Sequence, residues 1–194
     1  MFKYIKYSHF QEFANICEVF PVKRFSLHTP NVQAPGWDVV LILDNLRSAH
    51  NVGNIFRIAE ALQCRIIACG YTPFPPHPVL AKTAMEADRT VPFSTANSAA
   101  EAIKSLRESN FKCILALEHD SQSVEVADYG TFDMPLALVL GNEAKGVSPE
   151  ALELCDGVVE LPMLGEKASI NVGNAAAAAL YIMYSAYKKQ VNFA

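Results

Sequence analysis

Trp37-Asp-Val-Val-Leu-Ile-Leu-Asp-Asn-Leu-Arg-Ser-Ala-His-Asn-Val-Gly-Asn-Ile-Phe-Arg57-Ile-Ala-Glu-Ala-Leu62 is the stretch that decides the fold. Val39 to Leu43 is a continuous apolar run of strand length, the pattern of a strand buried on both faces. From Asn51 onward Ile55, Ile58, Ala59 and Leu62 recur at helical spacing. The same alternation continues along the chain. Strands are predicted over 65–69, 111–117, 136–140 and 158–161, and helices over 81–88, 98–108, 148–155 and 170–188. Buried strands alternating with helices define an α/β fold with a mostly parallel sheet flanked by helices. In such sheets ligands bind at the carboxyl ends of the strands, so the informative loops are 44–53, 117–121, 141–148 and 162–172.

The tetrapeptide Asn-Val-Gly-Asn occurs at 51–54 and again at 171–174, each time at a predicted helix start. Asn is a strong N-cap, because its side-chain oxygen accepts a bond from an unpaired backbone N–H. The Gly two residues later lets a ligand or another backbone come close. Five consecutive alanines, 175–179, follow the second copy and allow a helix to pack tightly.

The chain has 194 residues, 51% of them apolar and 19% charged, which fits one compact domain or one domain with a short extension. Residues 1–36 differ from the rest. They are rich in Phe, Tyr and Lys, with a helix predicted over 8–19 and a Pro/Gly hinge at Ala34-Pro-Gly36. The expected organisation is therefore an N-terminal extension, 1–36, and a main domain, 37–194. A net charge of −4 argues against binding nucleic acid through bulk electrostatics. Any such site must be local, and Lys and Arg do gather at 3–6, 23–24, 47–65 and 82–89.

Five widely spaced cysteines, never as CxxC, argue against a disulfide framework and a zinc site. The five histidines never pair at i,i+4, and no metal is expected. His50 and His119 fall in strand-end loops and read as solvated. The N-terminus lacks the apolar core of a secretory signal, and no apolar run reaches membrane-spanning length. A cytoplasmic protein with no membrane partner is expected.

Gly141 and Gly146 have the spacing of a phosphate loop, but Val147 stands where such a loop needs Lys. No GxGxxG follows a strand, and no GxSxG elbow is present. A Glu between two glycines at the end of a buried strand remains a candidate functional carboxylate.

Taken together, three loops resemble the signature motifs of the SpoU/TrmH family of RNA ribose 2′-O-methyltransferases, within the SPOUT class. The first is Asn51-x-Gly53-x3-Arg57, and the second is Leu140-Gly-Asn-Glu143-x2-Gly146-x-Ser148. The third is Leu161-Pro-Met163 followed by Ser169-Ile-Asn171-Val. The resemblance covers roughly 38–188.

The resemblance implies a C-terminal deep trefoil knot that binds S-adenosyl-L-methionine, with Leu117, Gly141, Leu161, Ile170 and Ser169 at the cofactor. It implies a homodimer whose RNA site spans both subunits. The implied reaction is methyl transfer to a ribose 2′-hydroxyl of tRNA or rRNA. It implies Arg57 as the group that removes the hydroxyl proton. Because a guanidinium normally stays charged, the alternative is that Arg57 positions a phosphate or the hydroxyl. Asn51, Glu143, Ser169 and Asn171 would position Arg57, RNA and cofactor.

Two positions depart from the usual third motif: Ile170 stands for Leu, and Gly173 for a Ser. The rival readings are a non-catalytic RNA-binding homologue that keeps the knot, and a nucleotide-binding α/β module.

Overall fold

A computed structural model describes residues 33–167 and 169–193. The helix expected over 8–19 lies outside the described residues. In chain order the elements are β1 (Val39–Asp44), α1 (Ala49–Ala61), β2 (Arg65–Cys69), α2 (Pro78–Ala84), α3 (Ala87–Thr90), β3 (Phe93–Ala96) and α4 (Ala99–Glu108). Then come β4 (Cys113–Leu117), β5 (Val124–Glu125), β6 (Leu136–Leu140), α5 (Pro149–Leu152), β7 (Gly157–Glu160) and α6 (Val172–Gln190).

The strands form one sheet in the order β3-β2-β1-β6-β4-β7-β5, with every pairing parallel. Alternate residues of β1 explain its unbroken apolar run. Val39, Leu41 and Leu43 pack with Ile55 and Phe56 of α1 and Leu180 and Met183 of α6. Val40 and Ile42 pack on the other face with Ala102, Ile103 and Leu106 of α4. Both faces are covered, so no polar residue interrupts the strand before Asp44 at its end.

Two strands escape the sequence pattern, and they are the two edges of the sheet. β3 is largely exposed and β5 is two exposed residues, so neither carries an apolar run. The helix predicted over 81–88 is two short helices. Met85 and Glu86, at φ 52° and 76°, take the left-handed conformation and divide them. The first of these begins at Pro78, three residues before the predicted start, because Pro is well placed in a first helical turn. The helix predicted over 148–155 shrinks to four residues.

α6 lies close to α1 at its amino end. A side chain on Gly173 would sit 3.3 Å from the Cβ of Asn54, and Ala176 and Ala179 are fully buried. The alanine run is therefore a packing surface, as the sequence indicates.

Gly53 is buried inside α1, where Ala would ordinarily be favoured by about 1 kcal/mol. Here an added Cβ would lie 1.9 Å from Thr83 Oγ1 and 2.6 Å from the Leu80 carbonyl oxygen. Gly53→Ala is therefore expected to destabilise the protein, by about 1–3 kcal/mol of overpacking, measured by denaturant unfolding. A stabilised variant would contradict this packing.

Candidate active site

The carboxyl ends of β1, β4, β6 and β7 open into a cleft of about 650 Å³. Eight of the nine residues singled out in the sequence line it: Asn51, Leu117, Gly141, Glu143, Leu161, Ser169, Ile170 and Asn171. Arg57 does not. It sits exposed on α1 and makes no hydrogen bond or ion pair among the described residues.

Glu143 organises the cleft. One carboxylate oxygen accepts the Arg47 N–H at 2.9 Å. The other accepts the Ser48 N–H at 3.1 Å and the Asn51 side-chain amide at 2.9 Å. Burial alone pushes its pKa up. The N–H groups of Arg47, of Glu143 itself and of Ser48, with the Asn51 amide, outweigh burial and hold the carboxyl below its ordinary value. The Asn51 side-chain oxygen in turn accepts the Asn171 side-chain amide at 2.9 Å. Asn171 caps α6, its side-chain oxygen accepting the N–H groups of Gly173 at 2.9 Å and Asn174 at 3.3 Å. A single hydrogen-bonded line thus joins the loops after β1, β6 and β7.

The two Asn-Val-Gly-Asn copies meet in that line, but in different roles. Asn171 is the helix cap the sequence predicts. Asn51 is not, because Ser48 caps α1 instead, its hydroxyl accepting the Asn51 N–H at 3.3 Å. That earlier start frees the Asn51 side chain to bridge Glu143 and Asn171. The glycines receive protein: Gly53 faces α2 and Gly173 faces α1.

The loop after β6 is a tight hairpin in which Asn142 and Gly146 exchange both backbone bonds, each 2.9 Å. Gly146 has φ +71°, and a side chain there would lie 2.2 Å from the Glu118 carboxylate. On Gly141 it would lie 2.2 Å from the Val147 nitrogen. Both positions are closed to any larger residue.

Sequence reasoning passed over three carboxylates and an amide. Asp44, almost fully buried, accepts the Ser148 N–H at 2.8 Å and so ties β1 to the β6 loop. Ser148 precedes α5, but its side chain makes no capping bond there. Glu118 accepts the Val147 N–H at 3.0 Å and ties β4 to the same loop. Asp44 is the last residue of β1 and Glu118 directly follows β4, and that position at the end of a buried apolar run is the signal that marks them. Buried Asn142 donates to the Asn45 carbonyl at 2.6 Å and to the Tyr71 hydroxyl at 2.9 Å, which no local pattern announces. Glu160 accepts the Ser123 hydroxyl at 2.6 Å and pairs with His119. The Ser123 and His119 bonds hold the Glu160 carboxyl below its ordinary value. His119 is exposed, as expected of a loop residue, but it is tethered.

Other chemistries find no support in the geometry. Burial pushes the thiols of Cys64, Cys69 and Cys155 up to about 12, so none is a thiolate at neutral pH. Among the described residues no cluster of His, Cys, Asp or Glu is arranged to hold a metal ion. No described helix is long and apolar enough to cross a membrane.

A sequence model of the SpoU rRNA methylase family matches residues 38–181, the stretch that contains all three loops. The chain belongs to that family. It is 32% identical over 145 residues to a tRNA (guanosine(18)-2′-O)-methyltransferase of Thermus thermophilus, covering 74% of this chain and 73% of that protein. It is 31% identical over 147 residues to the 23S rRNA (guanosine-2′-O-)-methyltransferase RlmB of Ralstonia nicotianae, covering 75% of this chain and 58% of that one. Several curated relatives are likewise spanned over only 58–60% of their length. Among solved structures, the SpoU methyltransferase AviRb of Streptomyces viridochromogenes, in complex with AdoMet, superposes with a TM-score of 0.68 at 27% identity. That match covers 81% of this chain and 62% of AviRb.

A carboxyl held low by native bonds stabilises the fold above its unfolded pKa, near 4.5 for Glu143, and loses that contribution as pH falls through the folded value. Thermal melts of wild type and Glu143→Gln should therefore differ at neutral pH and converge in acid. A constant offset across that range would remove Glu143 from the acid response.

Proposed function

We propose that this chain is an S-adenosyl-L-methionine-dependent methyltransferase acting on a ribose 2′-hydroxyl of tRNA or rRNA. The observation that carries the reading is the line Glu143–Asn51–Asn171, which draws three motif loops to one cleft. Family membership and the named activities of the Thermus and Ralstonia relatives support it.

The cleft suits the proposed cofactor. Leu117, Leu161 and Ile170 offer apolar walls to a flat purine, and the carboxylates of Glu118 and Glu160 favour a cationic ligand. Gly141 and Ser169 present polar backbone and hydroxyl groups between them. When bound, the cofactor supplies a methyl group on a positively charged sulfur. The residues of this chain then have to hold the ribose in line and dispose of the hydroxyl proton. Glu143 and Asn51 hold the start of α1, and Asn171 holds the start of α6. Ser169, beside Asn171, is placed to orient whatever enters the cleft.

Arg57 is the residue we assign to the RNA. It faces solvent and does not line its own cleft, so a second copy of the chain would be needed to bring an Arg57 to it. That supports a homodimer with a composite site. Its charge fits it to grip a phosphate or the reacting hydroxyl. Proton removal by Arg57 itself would require a perturbed guanidinium. We further infer that the segment after β7 threads a deep trefoil knot, that residues 37–194 form the methyltransferase domain with 1–36 as an extension, and that the protein works in the cytosol.

The test is mass-spectrometric mapping of ribose methylation in total RNA from cells with and without the protein. One or more 2′-O-methyl sites should disappear without it. Purified Arg57→Ala should lose about a hundredfold or more in methyl-transfer rate while binding S-adenosylhomocysteine within about twofold of wild type. An unchanged methylation map, with Arg57→Ala indistinguishable from wild type, would leave a non-catalytic RNA-binding homologue as the better reading.

A further inference from the structure

Tyr71 stands at the end of β2, outside all three motif loops, yet it is anchored to them. The residue is 60% exposed. Its hydroxyl, however, accepts the Asn142 amide at 2.9 Å, and its backbone N–H reaches the Asn45 side chain at 3.4 Å. The next residue, Thr72, is buried and bonded to the Leu43 carbonyl at 3.0 Å and the Leu46 N–H at 2.9 Å. Gly70, at φ +61°, turns the chain so tightly that a side chain there would lie 2.1 Å from the Asn45 oxygen. The result is an aromatic face held open to solvent on a rigid mount, one side chain away from the cleft.

An exposed aromatic costs little when mobile, but this one is fixed at both ends. Fixing a side chain in advance removes the ordering cost of binding a flat partner. The local charge indicates which flat partner. Arg47 and Lys145 are exposed on the two loops that Asn142 and Asn45 join, and neither forms an ion pair among the described residues. In a chain of net charge −4, two cations without an ion pair on the loops that hold an open ring fit a nucleotide, with the base on the ring and phosphates on the cations.

We propose that Tyr71 is a base-stacking platform that holds a nucleotide of the RNA substrate at the mouth of the cleft, with Arg47 and Lys145 on its flanking phosphates. This rests on the RNA reading above and assigns a further substrate-contacting residue to it.

The experiment compares Tyr71→Phe and Tyr71→Leu for affinity to unmodified transcripts of tRNA and 23S rRNA, with S-adenosylhomocysteine affinity as a control on the cleft. Phe keeps the ring and should bind RNA within about twofold of wild type. Leu removes the ring and should lose about tenfold in RNA affinity, with cofactor-product binding unchanged. Tyr71→Trp adds a second readout, because the single native tryptophan, Trp37, is buried and the emission of the introduced indole would report the platform directly. RNA should quench it. Leu binding RNA like wild type, or indole emission unmoved by bound RNA, overturns the platform while leaving the methyltransferase reading intact. Parallel loss of RNA and S-adenosylhomocysteine affinity in Phe as well as Leu would make Tyr71 only a latch for Asn142. Failure of wild type to bind either transcript would overturn the RNA reading and the platform with it.

Discussion

Everything at the mouth of this sheet depends on the carboxylate of Glu143 having no freedom. It accepts bonds from Arg47, Ser48 and Asn51, so it fixes where α1 begins relative to the β6 loop. Asn51 passes that constraint to Asn171 and so to the start of α6. Hydrogen bonds to a charged acceptor are stronger than neutral ones, and losing one partner strands the others. The cleft is therefore held as a unit, with two further carboxylates, Asp44 and Glu118, tying the same loop to β1 and β4.

This division of labour explains a chemical oddity. Three carboxylates line the cleft, and all three are engaged: Glu118 and Glu143 hold backbone N–H groups, and Glu160 holds Ser123 and His119. Arg57, which we assign to the RNA, is exposed on α1 and does not line the cleft. On the proposed reading, the groups that hold the cleft and the cation assigned to the substrate stand at different places on the chain. A composite site between two subunits would reunite them.

The sheet interior was legible because burial on two faces leaves unbroken apolar runs, as in β1 and β6. Its edges were not, because β3 and β5 are exposed and resemble loops. The candidate site was legible in its loops and in eight of its residues, through motif spacing and resemblance. The partners of those residues were not. Asp44 bonds a residue 104 positions away, and Asn142 reaches Tyr71 across 71 positions, and no local pattern encodes such pairs. The start of α1 was misplaced for a different reason. Ser48 and Asn51 are both good caps, and in the fold Ser48 takes the cap while Asn51 bonds Glu143 and Asn171.

The bond between Asn51 and Asn171 spans 120 residues of chain. β1 lies between β2 and β6, and its strand partner on the β6 side is separated from it by almost half the protein. Such long-range pairing makes for slow folding, because loop closure must be completed before the contacts reward it. The polar line at the cleft joins segments 120 residues apart, so it cannot form until both have been made. Partly made chains would expose β1 and its apolar neighbours without any cleft at all. The architecture that keeps the finished site rigid thus places its heaviest demand on the ribosome-bound and newly released chain, where protection from aggregation matters most.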